Sequence, residues 1–185
     1  KVMNTQDAIK ALNSGTYPLA LVEGYVSQQN LVKDRFAVDE MILIAPPNHP
    51  LAGLEIPAEK LTGFKWITRE EGSGTREVME NYLHSLGIRD QIEMIMELGS
   101  TEAVKEAVAS GMGVSFVSKM AVSHELEHGL VSRVHILHAK PCLRNLYIVR
   151  PKSSKCTFLV DSFMKFVMST MNGPAANAST ENLVS

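Results

Sequence analysis

Two short segments carry the residue types suited to holding a small charged molecule. Arg69-Glu70-Glu71-Gly72-Ser73-Gly74-Thr75-Arg76 closes the apolar run that starts at Lys65 and opens directly into a helical pattern. Gly99-Ser100-Thr101 does the same after Ile92–Leu98. A loop of glycine and hydroxyl residues at a strand-to-helix junction gathers backbone N–H groups, side-chain hydroxyls and the positive end of a helix dipole. That is the requirement for a small anion. Helix capping draws on the same residues: a Ser or Thr at the N-cap contributes about 1 kcal/mol with no ligand present. Ser73, Gly74 and Thr75 therefore read as ligand groups set against a capping role. For Ser100 and Thr101 capping is the favoured role and ligand contact the second, because Glu102-Ala103-Val104 starts a helix at once.

The elements that must position these loops follow from hydrophobic periodicity. Asn4 to Asn13 reads as a helix with Ala8, Ile9 and Leu12 on one face, capped by Asn4 or Thr5 and ended by Gly15. Pro18–Val22 is a continuous apolar run, the mark of a strand covered on both faces. Strands are expected near Leu31–Val38 and Glu40–Ala45, before Pro46-Pro47-Asn48-His49-Pro50 breaks regular structure. Pro57–Leu61 suits a short helix. Then come strand Lys65–Arg69, helix Thr75–Leu86, strand Ile92–Leu98, helix Thr101–Ser110 and strand Gly113–Val117. That alternation makes a parallel α/β unit with right-handed crossovers. Val131–Leu137 and Leu146–Arg150 are further strands, and Thr157–Ser169 is an amphipathic helix. From 171 to 185 the chain reads as a flexible tail rich in Asn, Ala and Ser.

The 185 residues suffice for one domain or two small lobes, and 45% hydrophobic content suffices for a core. A net charge of −2, from 18 basic and 20 acidic residues, argues against a nucleic-acid surface. Cys142 and Cys156 form neither a metal motif nor a C-x-x-C motif. They read as two free thiols of a reducing cytoplasm rather than a disulfide. No secretory signal and no membrane-length apolar run stand in the sequence, so a cytoplasmic protein without membrane contact is expected. The Asn177-Ala178-Ser179 sequon carries little weight without a signal.

No catalytic set emerges. Gly72-Ser73-Gly74 lacks the spacing of a G-x-S-x-G elbow. His124-Glu125-Leu126-Glu127-His128 matches H-E-x-x-H, which on a helix holds zinc with the glutamate as base. Gly129 ends that segment directly and no third ligand follows, so an exposed polar turn is the plainer reading. No cofactor is expected, and the ten methionines suit core packing.

The order of motifs resembles the effector-binding domain of LysR-type transcriptional regulators. The resemblance rests on Gly15-Thr16-Tyr17-Pro18-Leu19-Ala20-Leu21-Val22-Glu23-Gly24, on Ala45-Pro46-Pro47-Asn48-His49-Pro50-Leu51 and on Arg69 to Arg76. It rests also on Glu97-Leu98-Gly99-Ser100-Thr101-Glu102-Ala103-Val104 leading into Gly111-Met112-Gly113-Val114-Ser115, and covers most of residues 4 to 168. The Arg69–Arg76 version is similar to that of regulators of sulfur assimilation and related anabolic pathways. The resemblance implies an α/β, two-lobed periplasmic-binding-protein-like (type II) fold. Lobe I would comprise 1–46 with 146–170 and lobe II 47–145, joined by crossover strands at Met41–Ala45 and Leu146–Arg150, with ligand in the cleft. Ligands of open α/β sheets sit beyond the carboxyl ends of strands where strand order reverses, which adds Ser118 to Ser73, Gly74 and Thr75. Glu23 and Gly24 would face the cleft from the other lobe, with Glu23 needing Arg69 or Arg76 to offset its charge. Arg69 is either a counter-charge for the ligand or an ordinary partner of Glu70 or Glu71.

What the resemblance implies for function is a sensor of a small-molecule effector that pairs as a homodimer or tetramer, while Gly72–Thr75 at a helix start points to a small anion, such as sulfate, an acetylated amino acid or another carboxylate. DNA contact would belong to a winged helix-turn-helix, which residues 1–185 do not contain. The strand and helix that usually open such a domain are not recognisable either. A solute-binding protein of the same fold is the alternative, and a zinc hydrolase at His124 and His128 a distant third.

Overall fold

The computed structural model describes residues 1–153 and 157–171. Cys156, the Asn177 sequon and all but the first residue of the expected tail fall outside them. The chain forms two compact units, Lys1–Val38 with Asn145–Ser185, and Asp39–Arg144.

In the first unit, α1 (Thr5–Asn13) is capped by Asn4, whose side chain accepts from the Asp7 amide at 2.9 Å. Its Ala8, Ile9 and Leu12 pack with Val22, Val26, Leu31 and Val149. β1 (Ala20–Glu23) pairs antiparallel with β8 (Cys142–Pro151), from Ala20 opposite Val149 to Glu23 opposite Leu146. The apolar run around β1 is not covered on both faces: Val22 is buried but Leu21 is half exposed. Among the described residues β1 lies at the end of its row of strands, with β8 as its one neighbour. α5 (Phe158–Met171) completes the described part of this unit.

β2 (Leu31–Ala45) is one continuous strand rather than two, since no glycine or proline interrupts Phe36-Ala37-Val38-Asp39-Glu40. The chain passes from one unit to the other inside it, between Val38 and Asp39, and returns inside β8, between Arg144 and Asn145. These passages lie a few residues before the expected Met41–Ala45 and Leu146–Arg150, and Pro46–Pro50 sits within the second unit.

The second unit runs β3 (Glu55–Ile56), a short 3₁₀ helix at Ala58–Gly63 where a short helix over Pro57–Leu61 was expected, β4 (Lys65–Arg69), α2 (Gly74–Ser85) and β5 (Glu93–Leu98). It continues with α3 (Thr101–Ala109), β6 (Ser115–Ser118), the short α4 (Ser123–Glu127) and β7 (Ser132–Ile136). β6 and β7 lie antiparallel on opposite edges of β2, β7 also takes β3 in parallel, and β4 pairs parallel with β5. Gly113 joins the two sets of strands. A Cβ there would meet the Lys65 carbonyl oxygen at 2.6 Å. Glycine lets Val114 N donate to Lys65 O and Ile67 N donate to Val114 O, both at 2.9 Å.

Strand alternation sorts the core into two layers. Met41, Leu43 and Trp66 face Met79 and Leu83 of α2, whereas Ile42, Ile44 and Ile67 face Val104 and Val108 of α3. Trp66 is fully buried and its indole N–H donates to the Leu61 carbonyl at 3.1 Å. Removing such a side chain costs about 3–5 kcal/mol.

Candidate functional site

From β4 the chain steps through α2 to β5 on one side, and α3 then carries it back over β4 to β6 on the other. Strand order therefore reverses at β4. The carboxyl ends of β4 and β6 mark the place where such sheets hold ligands. Ser73, Gly74 and Thr75 follow β4, and Ser118 ends β6. Ser73, Thr75 and Ser118 are all buried.

A buried polar network links two of them. The Arg144 guanidinium donates through Nε to Asp39 Oδ2 at 2.8 Å, with Nη2 at 2.7 Å from the same oxygen, and through Nη1 to Thr75 Oγ1 at 2.9 Å. Ser118 Oγ donates to Asp39 Oδ1 at 3.1 Å and accepts from the Ala121 amide at 3.3 Å. Asp39 and Arg144 are only 4% and 6% exposed, so each charge depends on the other. They are also the first and last residues of the second unit. Sequence reasoning missed both. The available signal was one acid and one base of opposite sign, each interrupting a strand that carries the chain between units.

Ser73 occupies the N-cap of α2 in extended conformation, yet its hydroxyl makes no capping bond. Gly72 before it takes φ 84°, the left-handed turn that swings the chain into the helix. Thr68 lies on the same strand face as Trp66, two residues earlier, and among the described residues its buried hydroxyl has no partner. The α2 N-terminus thus has a hydroxyl not used for capping, and β4 has an orphaned one near its carboxyl end.

The remaining candidates are engaged locally. Ser100 caps α3, its Oγ accepting from the Ala103 amide at 3.1 Å. Arg69 binds Glu70 through both carboxylate oxygens, at 2.7 and 3.0 Å, and donates to Thr101 Oγ1 at 3.0 Å. The ion pair with Glu70, one of its two readings, is present. Arg76 bonds Glu80 and Glu97. Burial lowers its guanidinium's affinity for the proton, but the two carboxylates outweigh that and raise it above the ordinary value. Glu23 and Gly24 belong to the first unit, where Gly24 takes φ 81° and donates its N–H to Asn145 O at 3.1 Å.

His124 and His128 stack with ring centroids 4.1 Å apart, and Glu125 is held by Lys105 at 2.7 Å. Among the described residues no group of three potential ligands could hold a metal. No helix among them is long and apolar enough to cross a membrane.

The family model described as the LysR substrate binding domain matches residues 1–172. The chain is 37% identical over 134 residues to the HTH-type transcriptional regulator CysL of Bacillus subtilis, covering 72% of this chain and 44% of that protein. It is 36% identical over 169 residues to the HTH-type regulator MJ0300 of Methanocaldococcus jannaschii, covering 90% and 56%. The chain thus spans about half the length of these relatives. Among solved structures it is similar to the regulatory domain of CcmR from Synechocystis in complex with 2-PG, at TM-score 0.84 and 27% identity, over 94% of this chain and 83% of that one. The architecture is accordingly the α/β, periplasmic-binding-protein-like (type II) fold with two crossover strands.

Proposed function

The chain belongs to the LysR substrate binding domain family, and from that premise we propose that it is the effector-sensing region of a LysR-type transcriptional regulator that takes up a small anion at the N-terminus of α2. The observation that carries the site is the buried Thr68 hydroxyl, which has no partner among the described residues, on the strand that leads to the Ser73 N-cap, where the Ser73 hydroxyl makes no capping bond. Native proteins rarely leave a buried hydroxyl unbonded, so a ligand that accepts from Thr68 accounts for it, and the Ser73 hydroxyl is free of a capping role to join it. The α2 dipole adds to the attraction for negative charge. The family is one of regulatory domains rather than enzymes, and its named relatives are transcriptional regulators, which favours this reading over a solute-binding protein.

In the full regulator, DNA contact falls to a helix-turn-helix region beyond residues 1–185, acting in the cytoplasm. Two copies of the domain associate, as a homodimer or within a tetramer, and sedimentation of the full-length protein tests that. Effector binding changes DNA affinity only in so far as the ligand prefers one conformation of the regulator over another.

Calorimetry with sulfate and a panel of small carboxylates, including acetylated amino acids, tests the site. Each lost hydrogen bond to a charged ligand costs about 1.5–3 kcal/mol. Thr68→Val should therefore weaken binding about tenfold or more, yet leave the fold as stable or more stable, because it removes an unsatisfied buried hydroxyl. Ser73→Ala should weaken binding with little change in stability. Unchanged affinity in both variants would sink the assignment.

A further inference from the structure

The charges around the α2 N-terminus are already spoken for, and that restricts what the site can hold. α2 begins after the carboxyl end of β4 and runs back along it. Thr75, Met79 and Leu83 recur at every fourth position and are buried, and Met79 and Leu83 pack with Trp66. The first turn of α2 therefore lies over the strand beyond Trp66. There Thr68 is only 2% exposed, with its hydroxyl unpartnered among the described residues.

The basic residues of the segments that meet here already have their acids. Arg69 has Glu70 at 2.7 Å, and Arg76 has Glu80 and Glu97. Lys119, after β6, has Glu40 at 2.9 Å, and Arg144 has Asp39 at 2.7 Å. Residues 69–77 carry two arginines against three glutamates. What remains to attract an anion is the helix end, equivalent to about half an elementary charge. The cost of taking an ion out of water rises with the square of its charge. A dianion thus loses about four times what a monoanion loses, for about twice the attraction. The two hydroxyls of Thr68 and Ser73 match the two oxygens of a carboxylate.

We propose, resting on the site assigned above, that its ligand is a singly charged carboxylate held by hydroxyl and backbone N–H donors without a salt bridge, and that dianions such as sulfate or a phosphate ester are rejected. Amide NMR titration of the intact chain with acetate, methanesulfonate and sulfate tests this; the last two share an oxyanion head and differ by one charge. Acetate should shift residues 68–76 with about millimolar affinity. Methanesulfonate should bind about tenfold or more tighter than sulfate. Thr68→Val should weaken acetate about tenfold or more. Glu70→Gln leaves Arg69 without its carboxylate and should raise sulfate affinity about tenfold relative to acetate. Sulfate binding as tightly as methanesulfonate, yet weakened by Thr68→Val, would overturn the preference for a single charge and leave the site in place. A sulfate-to-acetate ratio untouched by Glu70→Gln would do the same. Acetate shifts that are absent, or unchanged in Thr68→Val, would overturn the site and the preference together.

Discussion

Asp39 and Arg144 hide opposite charges from water, and their value depends on being together. Arg144→Met would leave Asp39 buried without its counter-charge, a loss of about 3–5 kcal/mol, whereas adding Asp39→Leu should restore most of it. Urea denaturation of the two variants checks this, and a double variant no better than the single one would contradict it. Glu40 gives the acid limb. Burial pushes its carboxyl up, but hydrogen bonds from Lys119 and Arg133, with their charges, outweigh that and hold it below its ordinary value of 4.5. A carboxylate lowered by folding stabilises the native state above its unfolded value, and that contribution is lost as pH falls through the folded one. Glu40→Gln should therefore be less stable than the parent at neutral pH and converge with it in acid. Melting temperatures measured from pH 7 down to 3 give the comparison.

At the level of elements, the two glycine–hydroxyl loops look alike in sequence and differ in use. Ser100 spends its hydroxyl on the α3 cap, and Ser73 does not spend its own on α2. Ser100→Ala should cost about 1 kcal/mol, while Ser73→Ala costs much less; equal losses by thermal denaturation would mean that both are caps. Periodicity alone located α1, β4, α2, β5 and α3 to within a residue or two, because each keeps one apolar face and a clear stop. It divided β2 at Val38–Glu40, where Asp39 breaks the apolar run, since a sequence does not reveal that a buried aspartate has its partner 105 positions on. It overstated the burial of β1, since an apolar run reads the same whether one face of a strand is covered or both. Of the candidate site, the loop was legible from residue types. The bonding of each hydroxyl was not, because it depends on Thr68, Asp39 and Arg144, residues with no local motif.

At the scale of the molecule, the residues divide unequally. The second unit is a single stretch, Asp39–Arg144, with its own two-layered core, and the first is made from both ends of the chain. Its α1 and β1 have their apolar partner Val149 and their pairing strand β8 on the far side of that stretch. The connection is of high sequence separation, the kind that forms late because loop closure precedes any reward.

The passage of the chain through β2 and back through β8 therefore sets an order of events during synthesis. When Arg144 leaves the ribosome the whole of the second unit is available to fold, while the first 38 residues have waited through more than a hundred additions for the strand that completes them. Nascent chains stalled with their exposed end at Arg144 should already protect Trp66, the sole tryptophan, from solvent quenchers while α1 remains open to protease. Protection of α1 should appear only once Val149 and the rest of β8 emerge. Until then, Ala8, Ile9 and Leu12 are an apolar face without a home, and that interval, rather than any property of the finished fold, is where a holdase chaperone would find this chain.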